Sequence, residues 1–324
     1  MYTLKSSNLA VLNWLIELKC DVNTADEYNA TPLMLAAKLN DAEGVAVLLK
    51  AGAMPSQACK YYRNAIGKTT SREIAEQLLA LGESFSQVRG AVEQSFTKLP
   101  AVSTWQLDIE DYQAHKHPQF GMKNPEEVKF PLWIEMVKFG TSAYELRTYY
   151  QDKDSTGAVW CFSRFGRSST LLPDNRVIKI AGEHEDSYDP DFHIYNDVVV
   201  YDGQGGFTIY NYPRDVFQPT DFHSATYFDN WIYIIGNIGY PKDRVIGMTP
   251  VYRLNCTSFQ IEKVITHGQA PGWISDHHAI LKDGCIHISG GEVWQKRRGK
   301  TKLRKNQSTY IFDLEQHHWH KVSL

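Results

Sequence analysis

The sequence predicts an α+β protein, with helical repeats before residue 85 and repeated β units after residue 157. Two observations carry this prediction. Apolar residues recur at helical spacing in the first part, where Gly52 follows such a run as a left-handed terminator. In the second part Gly182, Gly236 and Gly290 each follow a hydrophobic strand and stand 54 residues apart. A fixed period of this kind indicates a repeated unit, so we predict a helical region at 1–84, a helical connector at 85–157 and a β-repeat domain at 158–324.

The composition is that of a soluble globular protein, and 324 residues suggest two or three domains. The formal charge of −3 hides a basic segment at 295–305, which holds seven Lys or Arg residues and no acid. Taking these seven from −3 leaves −10 for the remainder. Five cysteines, an odd and scattered set, predict reduced thiols and a cytoplasmic location.

Neither a leader nor a membrane segment is expected. The apolar run near the N-terminus is interrupted by Asn13 and Glu17, which disfavours a signal peptide. No apolar stretch reaches the roughly 20 residues of a membrane span.

Helix starts and stops define the N-terminal region. A helix runs from about residue 8 to Leu18, and Leu15-Ile16 in it recurs as Leu48-Leu49, 33 residues later. Thr31 is a predicted cap with Pro32 at the first helical position, and a second helix spans Ala42–Lys50.

The segments TPLMLAA at 31–37 and LLKAGA at 48–53 resemble the ankyrin repeat, over about residues 8–84. A diverged third unit includes 73–82, and Met34 stands where the family usually has histidine. The resemblance implies a binding array without catalytic activity. It places partner contacts on the exposed finger of Glu27, Tyr28 and Asn29.

The connector is predicted from caps and breakers as five segments. These are a helix over Phe85–Leu99, a short strand over Trp105–Ile109, a loop over 112–123, a helix that starts at Asn124-Pro125-Glu126-Glu127 and ends at Gly140, and a helix over Ala143–Tyr150. Trp160-Cys161-Phe162 is interpreted as a further strand.

Each 54-residue unit has the same predicted order of strands. A hairpin with an Asn, Asp or Gly turn comes first, at about 168–180, 224–235 and 278–288. A long loop, a third strand with a tyrosine, and a fourth strand opened by Phe207, Phe259 or Trp319 follow. This pattern resembles the kelch repeat of β-propellers, and His223 and either His277 or His278 match the histidine that the family has before its second strand. Three units are too few for a typical ring, so a small, irregular or incomplete propeller and an open three-sheet array both stay open.

The order of the parts resembles a group of bacterial proteins that join ankyrin and kelch-like repeats. The segments that carry this resemblance are RFGRSSTLLPDNR, AGEHEDSYDPDFHIYNDV, PTDFHSAT and GQAPGW. The resemblance supplies an arrangement but no activity.

Two charged segments are candidate binding sites. The acidic loop at 183–191 holds Glu185, Asp186, Asp189 and Asp191 as partner-binding candidates, and its carboxylates and histidines lack the spacing of a recognised metal site. The basic segment offers Lys296, Arg297 and Arg298. We interpret it as a solvated hairpin tip, as a docking site for an acidic protein, or as a nucleic-acid site, the last disfavoured because the segment lacks aromatic residues.

No catalytic residue, metal site or cofactor is predicted. The recurrence of Asp221 with His223 and of Asp276 with His277 favours a structural role in the repeat. Gly203-Gln204-Gly205-Gly206 joins two predicted strands, which is a turn and not a phosphate-binding loop.

The leading hypothesis is therefore a non-enzymatic, cytoplasmic module that binds another protein. Its most specific form is a bacterial immunity-type inhibitor of a toxin, in which acidic groups mimic nucleic acid. Nucleic acid and membrane are not the expected partners. The alternative is a metal-binding, sugar-binding or enzymatic propeller that uses the loop-lined face of the β repeats.

Overall fold

The computed structural model describes residues 9–60, 64–100, 104–105, 107–152, 156–184, 190–297 and 300–322. The fold is mixed α+β, and its sheets, mainly antiparallel, lie mostly in the second half of the chain. The chain divides into two compact units, Met1–Lys98 and Leu99–Leu324. The finer division into three regions stays a prediction. Every helix in the described part of the chain is too short or too polar to cross a lipid bilayer.

The first unit is helical. Its helices are α1 Leu9–Glu17, α2 Pro32–Lys38, α3 Ala42–Lys50, α4 Arg72–Leu79 and α5 Gly90–Thr97, with 3-10 turns at Ile66–Lys68 and Phe85–Gln87. The predicted starts of α2 and α3 are confirmed: Thr31 Oγ1 accepts a bond from the Met34 N–H, and Asp41 Oδ1 accepts one from the Gly44 N–H. Gly52, at φ +90°, lies just beyond the end of α3.

Neighbouring helices of the first unit pack along one apolar core. Helix α3 contacts α1, α2 and α4, and α4 contacts α5. Fully buried side chains fill the spaces between them: Leu33, Met34, Val45, Leu48, Ile74 and Leu78. The helix predicted over Phe85–Leu99 is shorter than expected, because Val88 and Arg89 are extended between the 3-10 turn and α5.

The second unit begins with α6 Ile109–His115, β1 Glu126–Val128, α7 Pro131–Phe139 and α8 Ala143–Tyr149. The strand predicted over Trp105–Ile109 is wrong, because Asp108 caps α6 with a bond from the Asp111 N–H to its Oδ1, at 2.9 Å. Helix α6 also replaces the first part of the loop predicted over 112–123. The helix predicted over Ala143–Tyr150 is confirmed as α8, which Ser142 caps in a capping box with Glu145.

The helix start predicted at Asn124 is also wrong. Asn124 instead bonds the backbone of Ile261 through both atoms of its amide, at 2.8 and 2.9 Å, and the following residues enter β1. The helix begins only at Pro131 and ends, as predicted, before Gly140.

Three antiparallel sheets form the body of the second unit. The first sheet has the order β1-β7-β6-β3-β2, the second β11-β10-β9-β8, and the third β12-β19-β18-β15-β14. Their strands are β2 Ser168–Leu171, β3 Val177–Ile180, β6 Val198–Tyr201, β7 Phe207–Asn211, β8 Ser224–Phe228, β9 Trp231–Ile235, β10 Val251–Asn255, β11 Ile261–Lys263, β12 His267–Gly268, β14 His278–Lys282, β15 Cys285–Ser289, β18 Thr309–Asp313 and β19 His318–Val322. β12 is the exception to the antiparallel pairing, since it joins β19 in parallel.

Smaller elements lie in the loops between these strands. They are the pair β4 Glu183–His184 with β5 His193–Ile194, and a three-stranded sheet of β13 Trp273–Ser275, β16 Glu292–Arg297 and β17 Lys300–Lys305. The predicted hairpins are confirmed, and Asp229 and Asn230 both take the positive φ that a tight two-residue turn requires.

The sheets stack through two apolar clusters. One lies between the first and second sheets, with Ile178, Val200, Ile234 and Leu254 among its buried members. The other lies between the second and third sheets and includes Tyr233, Ile235, Ile288, Phe312 and Trp319.

The recurring glycines permit close approach of the chain at the strand ends. At Gly236, with φ +82°, an added Cβ would lie 2.4 Å from the carbonyl oxygen of Ile274. At Gly182, with φ +96°, it would lie 2.7 Å from that of Phe165. No side chain fits at either point, so the period reflects backbone packing.

Polar bonds connect successive sheets next to their first strands, which lie side by side in the order β2, β8, β14. Ser168 Oγ lies 2.7 Å from His223 Nε2, and Ser224 Oγ lies 2.9 Å from His277 Nε2.

The described residues form an open array of three sheets and no closed ring. The predicted strand at Trp160-Cys161-Phe162 is wrong: these residues are buried without strand pairing.

The third sheet is covered on one face only. Its other face carries Ile280, His287, Ile311 and His320 side by side across four strands. None of these four side chains is buried. On the corresponding face of the second sheet, Tyr233 and Ile235 are buried in the apolar cluster shared with the third sheet.

Candidate functional site

The basic segment forms a two-stranded ribbon, β16 with β17, inside the long loop that was predicted after the third hairpin. The register pairs Trp294 with Leu303 and Gln295 with Lys302. Since side chains alternate along a strand, Lys300, Lys302 and Arg304 share one face of β17. We call β16 and β17 together the basic ribbon.

The base of the ribbon is anchored in the sheet unit. β13 pairs with β16 from Trp273 to Ser275, and Val293 belongs to the apolar cluster below the third sheet. The guanidinium of Arg244 lies 4.2 Å from the ring centre of Trp294. The Asn306 side chain donates to the Gly290 carbonyl at 2.9 Å, which fixes the exit of β17.

The cationic side chains of the ribbon are exposed. They are Lys296, Lys300, Lys302, Arg304 and Lys305, and none forms an ion pair with a residue that the structure describes. Like charges this close repel one another, so a bound anionic group would stabilise the ribbon. Of the other predicted residues, Arg297 lies in β16, and Arg298 lies outside the described residues.

A polar groove of about 530 Å³ runs along the base of the ribbon. Three cationic residues line it, Arg304, Lys305 and Lys321, together with polar groups from 306–308 and Gln295. The ammonium of Lys321 lies 5.9 Å from the ring centre of Tyr310. The groove therefore extends the cationic surface from the ribbon onto the third sheet.

The acidic loop is described only in part. Glu185, Asp186 and Asp189 lie outside the described residues. Asp191 forms a two-pronged ion pair with Arg147, in which Nη2 donates to Oδ1 at 2.8 Å. The charge of Asp191 is thus neutralised within the chain, which weakens the case for it as a partner contact.

The finger belongs to the first unit. Asp26 Oδ1 accepts bonds from the Tyr28 and Ala30 N–H groups, and Asn29 takes φ +57°, so the finger is a tight turn. Glu27 and Tyr28 are exposed, with the Tyr28 side of the turn fixed by a backbone bond from Lys60. The finger presents one aromatic ring and carries no basic cluster.

A buried carboxyl pair lies behind the acidic loop. Asp221 is inaccessible to solvent, and its Oδ1 accepts a bond from the Gly239 N–H at 2.8 Å. Its Oδ2 has no donor in the described residues, but the Glu183 side chain lies within hydrogen-bonding reach. Burial raises the pKa of Asp221, which fits two carboxyl groups that share one proton. Acid–base catalysis requires a carboxyl group that a substrate can reach, and Asp221 is inaccessible from the surface.

The repeat histidines are neutral, His223 being buried and His277 half-buried. Burial lowers the pKa of His223 to about 3 and that of His277 to about 3, with a neighbouring histidine as the second cause in each. Each neutral ring bonds a serine on the preceding sheet, 55 and 53 residues earlier in the chain. These contacts favour the structural role predicted for the two histidines, and they join neighbouring sheets.

An internal ion pair was missed by sequence reasoning. Arg164 and Asp197 form a two-pronged salt bridge whose side chains are 2% and 5% exposed. Trp160 Nε1 donates to Asp197 at 2.7 Å, and the Arg164 guanidinium lies 3.4 Å from the Tyr195 ring centre. No sequence spacing marks this pair, because its members lie on separate elements.

Comparison with known proteins adds no family. Neither the protein-family models nor the curated proteins give a match to this chain. Within the described ranges, no three His, Cys, Asp or Glu side chains converge on a metal position. The cationic ribbon and groove are therefore the candidate site with the clearest chemistry.

Proposed function

We propose that the chain is a binding module without catalytic activity, and that it engages an acidic protein surface through the basic ribbon. The observation that carries the proposal is the set of exposed cations on the ribbon that form no ion pair with a described residue. Elsewhere the chain is acidic, with −10 outside the basic segment. An unpaired basic ribbon on an acidic molecule directs an anionic partner to one place.

A protein partner fits the ribbon better than single-stranded nucleic acid. Binding of unpaired bases uses exposed aromatic rings as stacking surfaces. The aromatic residue of the described ribbon, Trp294, is partly buried and packs against Arg244. The described part of the ribbon presents charged side chains and backbone groups, but no exposed aromatic ring on which a base could stack.

Toxin inhibition is a narrower form of this proposal. A toxin with an acidic surface would be such a partner. The version in which the acidic loop mimics nucleic acid draws no support from Asp191, whose carboxylate binds Arg147. The finger of Glu27, Tyr28 and Asn29 is a second contact surface to test once a partner is identified.

The test is binding of labelled polyglutamate, measured by fluorescence anisotropy at low and high salt. We expect binding that weakens as salt rises, because exposed charges are screened over roughly 10 Å. The charge-reversed variant K300E/K302E/R304E should bind at least about tenfold more weakly, since it replaces attraction with repulsion.

The matched control is K38E/K263E/K282E, which makes the same charge change at exposed lysines outside the ribbon. It should bind polyglutamate like the parent chain. Equal loss in both variants would show that net charge alone is responsible. Tighter binding to duplex DNA than to polyglutamate, lost in the ribbon variant only, would replace the protein partner by nucleic acid.

A further inference from the structure

The strand β17 forms an edge of its sheet. The order β13-β16-β17 places β17 at the end of its sheet, where it pairs with β16 alone. In an antiparallel pair every second residue turns its N–H and C=O groups away from the partner strand. Half of the backbone groups along Lys300–Lys305 are thus available to a further strand.

The charges of β17 match an added acidic strand. Lys300, Lys302 and Arg304 share a face and follow one another at about 6.8 Å, twice the rise per residue of a strand. Carboxylates at alternate positions of an added strand have the same spacing. Side chains directly opposite each other on adjacent strands lie about 5 Å apart, within reach of an ion pair.

The groove at the base of the ribbon lies where residues beyond the paired segment of an added strand would follow. It continues from Arg304 and Lys305 to Lys321 on the third sheet, with polar groups at 306–308 between them. A carboxylate beyond the paired segment would meet cations there as well. The edge and the groove therefore form one continuous cationic track.

A second copy of this chain does not fit the same edge. Two β17 strands side by side would bring lysines opposite lysines, which destabilises the pair. Natural proteins use lysine-rich edges to block pairing between copies for this reason. The same repulsion selects an acidic strand as the matching occupant.

We infer that the partner contributes an extended acidic segment, which adds to the free edge of β17 as a strand with its carboxylates over Lys300, Lys302 and Arg304. The inference rests on the proposed function, because it specifies how the acidic partner binds. Backbone pairing supplies affinity in this mode of recognition, and alternate side chains supply specificity.

The experiment uses an alternating Glu-Thr peptide of about eight residues, a common strand length. Two further peptides carry backbone N-methyl groups, one on every Glu and the other on every Thr. All three peptides have the same charge. Because one edge of the peptide pairs with β17, only one of the two methylated series removes the N–H groups that pair.

We expect the unmodified peptide to bind the full chain at low salt and to lose affinity in K300E/K302E/R304E. One methylated peptide should bind at least about tenfold more weakly, from the loss of several hydrogen bonds, while the other binds like the parent peptide. Amide hydrogen exchange should slow at alternate residues of β17 when the unmodified peptide is present.

Three other outcomes overturn the inference. If both methylated peptides bind like the parent, attraction between charges suffices, and the proposed function survives without strand addition. Equal weakening of both methylated peptides also contradicts pairing along a single edge. If neither the Glu-Thr peptide nor polyglutamate binds at low salt, the proposed function fails together with the inference, and the lysines only protect the edge.

Discussion

Within each of the two units, the stabilising polar bonds span a different distance along the sequence, short in the helical unit and long in the sheet unit. In the helical unit the capping bonds join residues three apart, as in Thr31 with Met34 and Ser71 with Ile74. In the sheet unit the buried polar links join Ser168 to His223 and Arg164 to Asp197. A capping bond between residues three apart can form as soon as its helix forms. A bond between residues that are 33 or more positions apart forms only when the sheets have assembled. A single substitution should therefore disturb the sheet unit more than the helical unit.

The largest expected effect is loss of the buried ion pair. Asp197→Ala leaves the guanidinium of Arg164 buried without its counter-charge, which typically destabilises a protein by about 3–5 kcal/mol. Urea unfolding followed by tryptophan fluorescence reports this, because every tryptophan except Trp14 lies in the sheet unit. Asp215→Ala, at an exposed site, is the control. A loss below about 1 kcal/mol would contradict a structural role for the pair.

The pH dependence of stability should have opposite signs in the two units. Burial raises the pKa of Glu83, in the helical unit, from 4.5 to about 7. The folded state then binds more protons than the unfolded state between these values, so stability falls as pH rises through that window. In the sheet unit the pKa values of His223 and His277 fall from 6.5 to about 3, so stability rises with pH over that range.

Glu83→Gln tests the helical half of this contrast. It should flatten the pH profile of the helical unit and stabilise it above pH 7 by at most about 3 kcal/mol, at roughly 1.4 kcal/mol per pKa unit. Hydrogen exchange of α4 as a function of pH gives the measurement, and Glu27→Gln, on the exposed finger, is the control. An unchanged slope in Glu83→Gln would assign the pH dependence to other groups.

A smaller effect is expected from the bonds between sheets. Ser168→Ala leaves the buried Nε2 of His223 without its partner, which costs about 1–3 kcal/mol. Ser224→Ala removes the corresponding bond to His277 and should act in the same way. Ser289→Ala, on the open face of the third sheet, should leave the urea midpoint unchanged. If all three variants unfold alike, the serine–histidine bonds contribute nothing specific.

The smallest effect is predicted for a helix cap. Thr31→Ala removes the side-chain acceptor for the Met34 N–H, a change that typically costs about 1 kcal/mol. The loss should appear in hydrogen exchange of α2 and leave tryptophan fluorescence of the sheet unit unaltered. Thr24→Ala, at an exposed turn, serves as the control. A larger loss than that of Asp197→Ala would reverse the comparison between the units.

The same difference, in how far apart along the sequence the bonded residues lie, explains which elements could be predicted from the sequence. Thr31 and Ser142 were predictable caps because the bonds they make close within three residues. Asn124 followed by Pro125 and two acids has the pattern of a helix start, but its amide binds Ile261, 137 residues away. A remote backbone partner leaves no local signal, so the pattern was misread.

The candidate site was predictable in charge but not in shape. Seven cations in 295–305 marked the segment, but lysine is depleted in strands, so the composition gave no sign of two long paired strands. Pairing of Trp294 with Leu303 and burial of Val293 stabilise the ribbon despite that composition. The open edge of β17 depends on the order of three strands from separate segments, which no short window of sequence contains.

The exposed face of the third sheet affects where a duplicated repeat could be added to the array. Its four-residue row, in the strand order Ile280, His287, Ile311 and His320, is not buried, whereas Tyr233 and Ile235 on the equivalent face of the second sheet are buried in an apolar cluster. A further sheet stacked on it would have to desolvate both imidazoles. A copied 54-residue segment is therefore accommodated more readily between the second and third sheets than beyond the third, as terminal repeats with polar outer faces require.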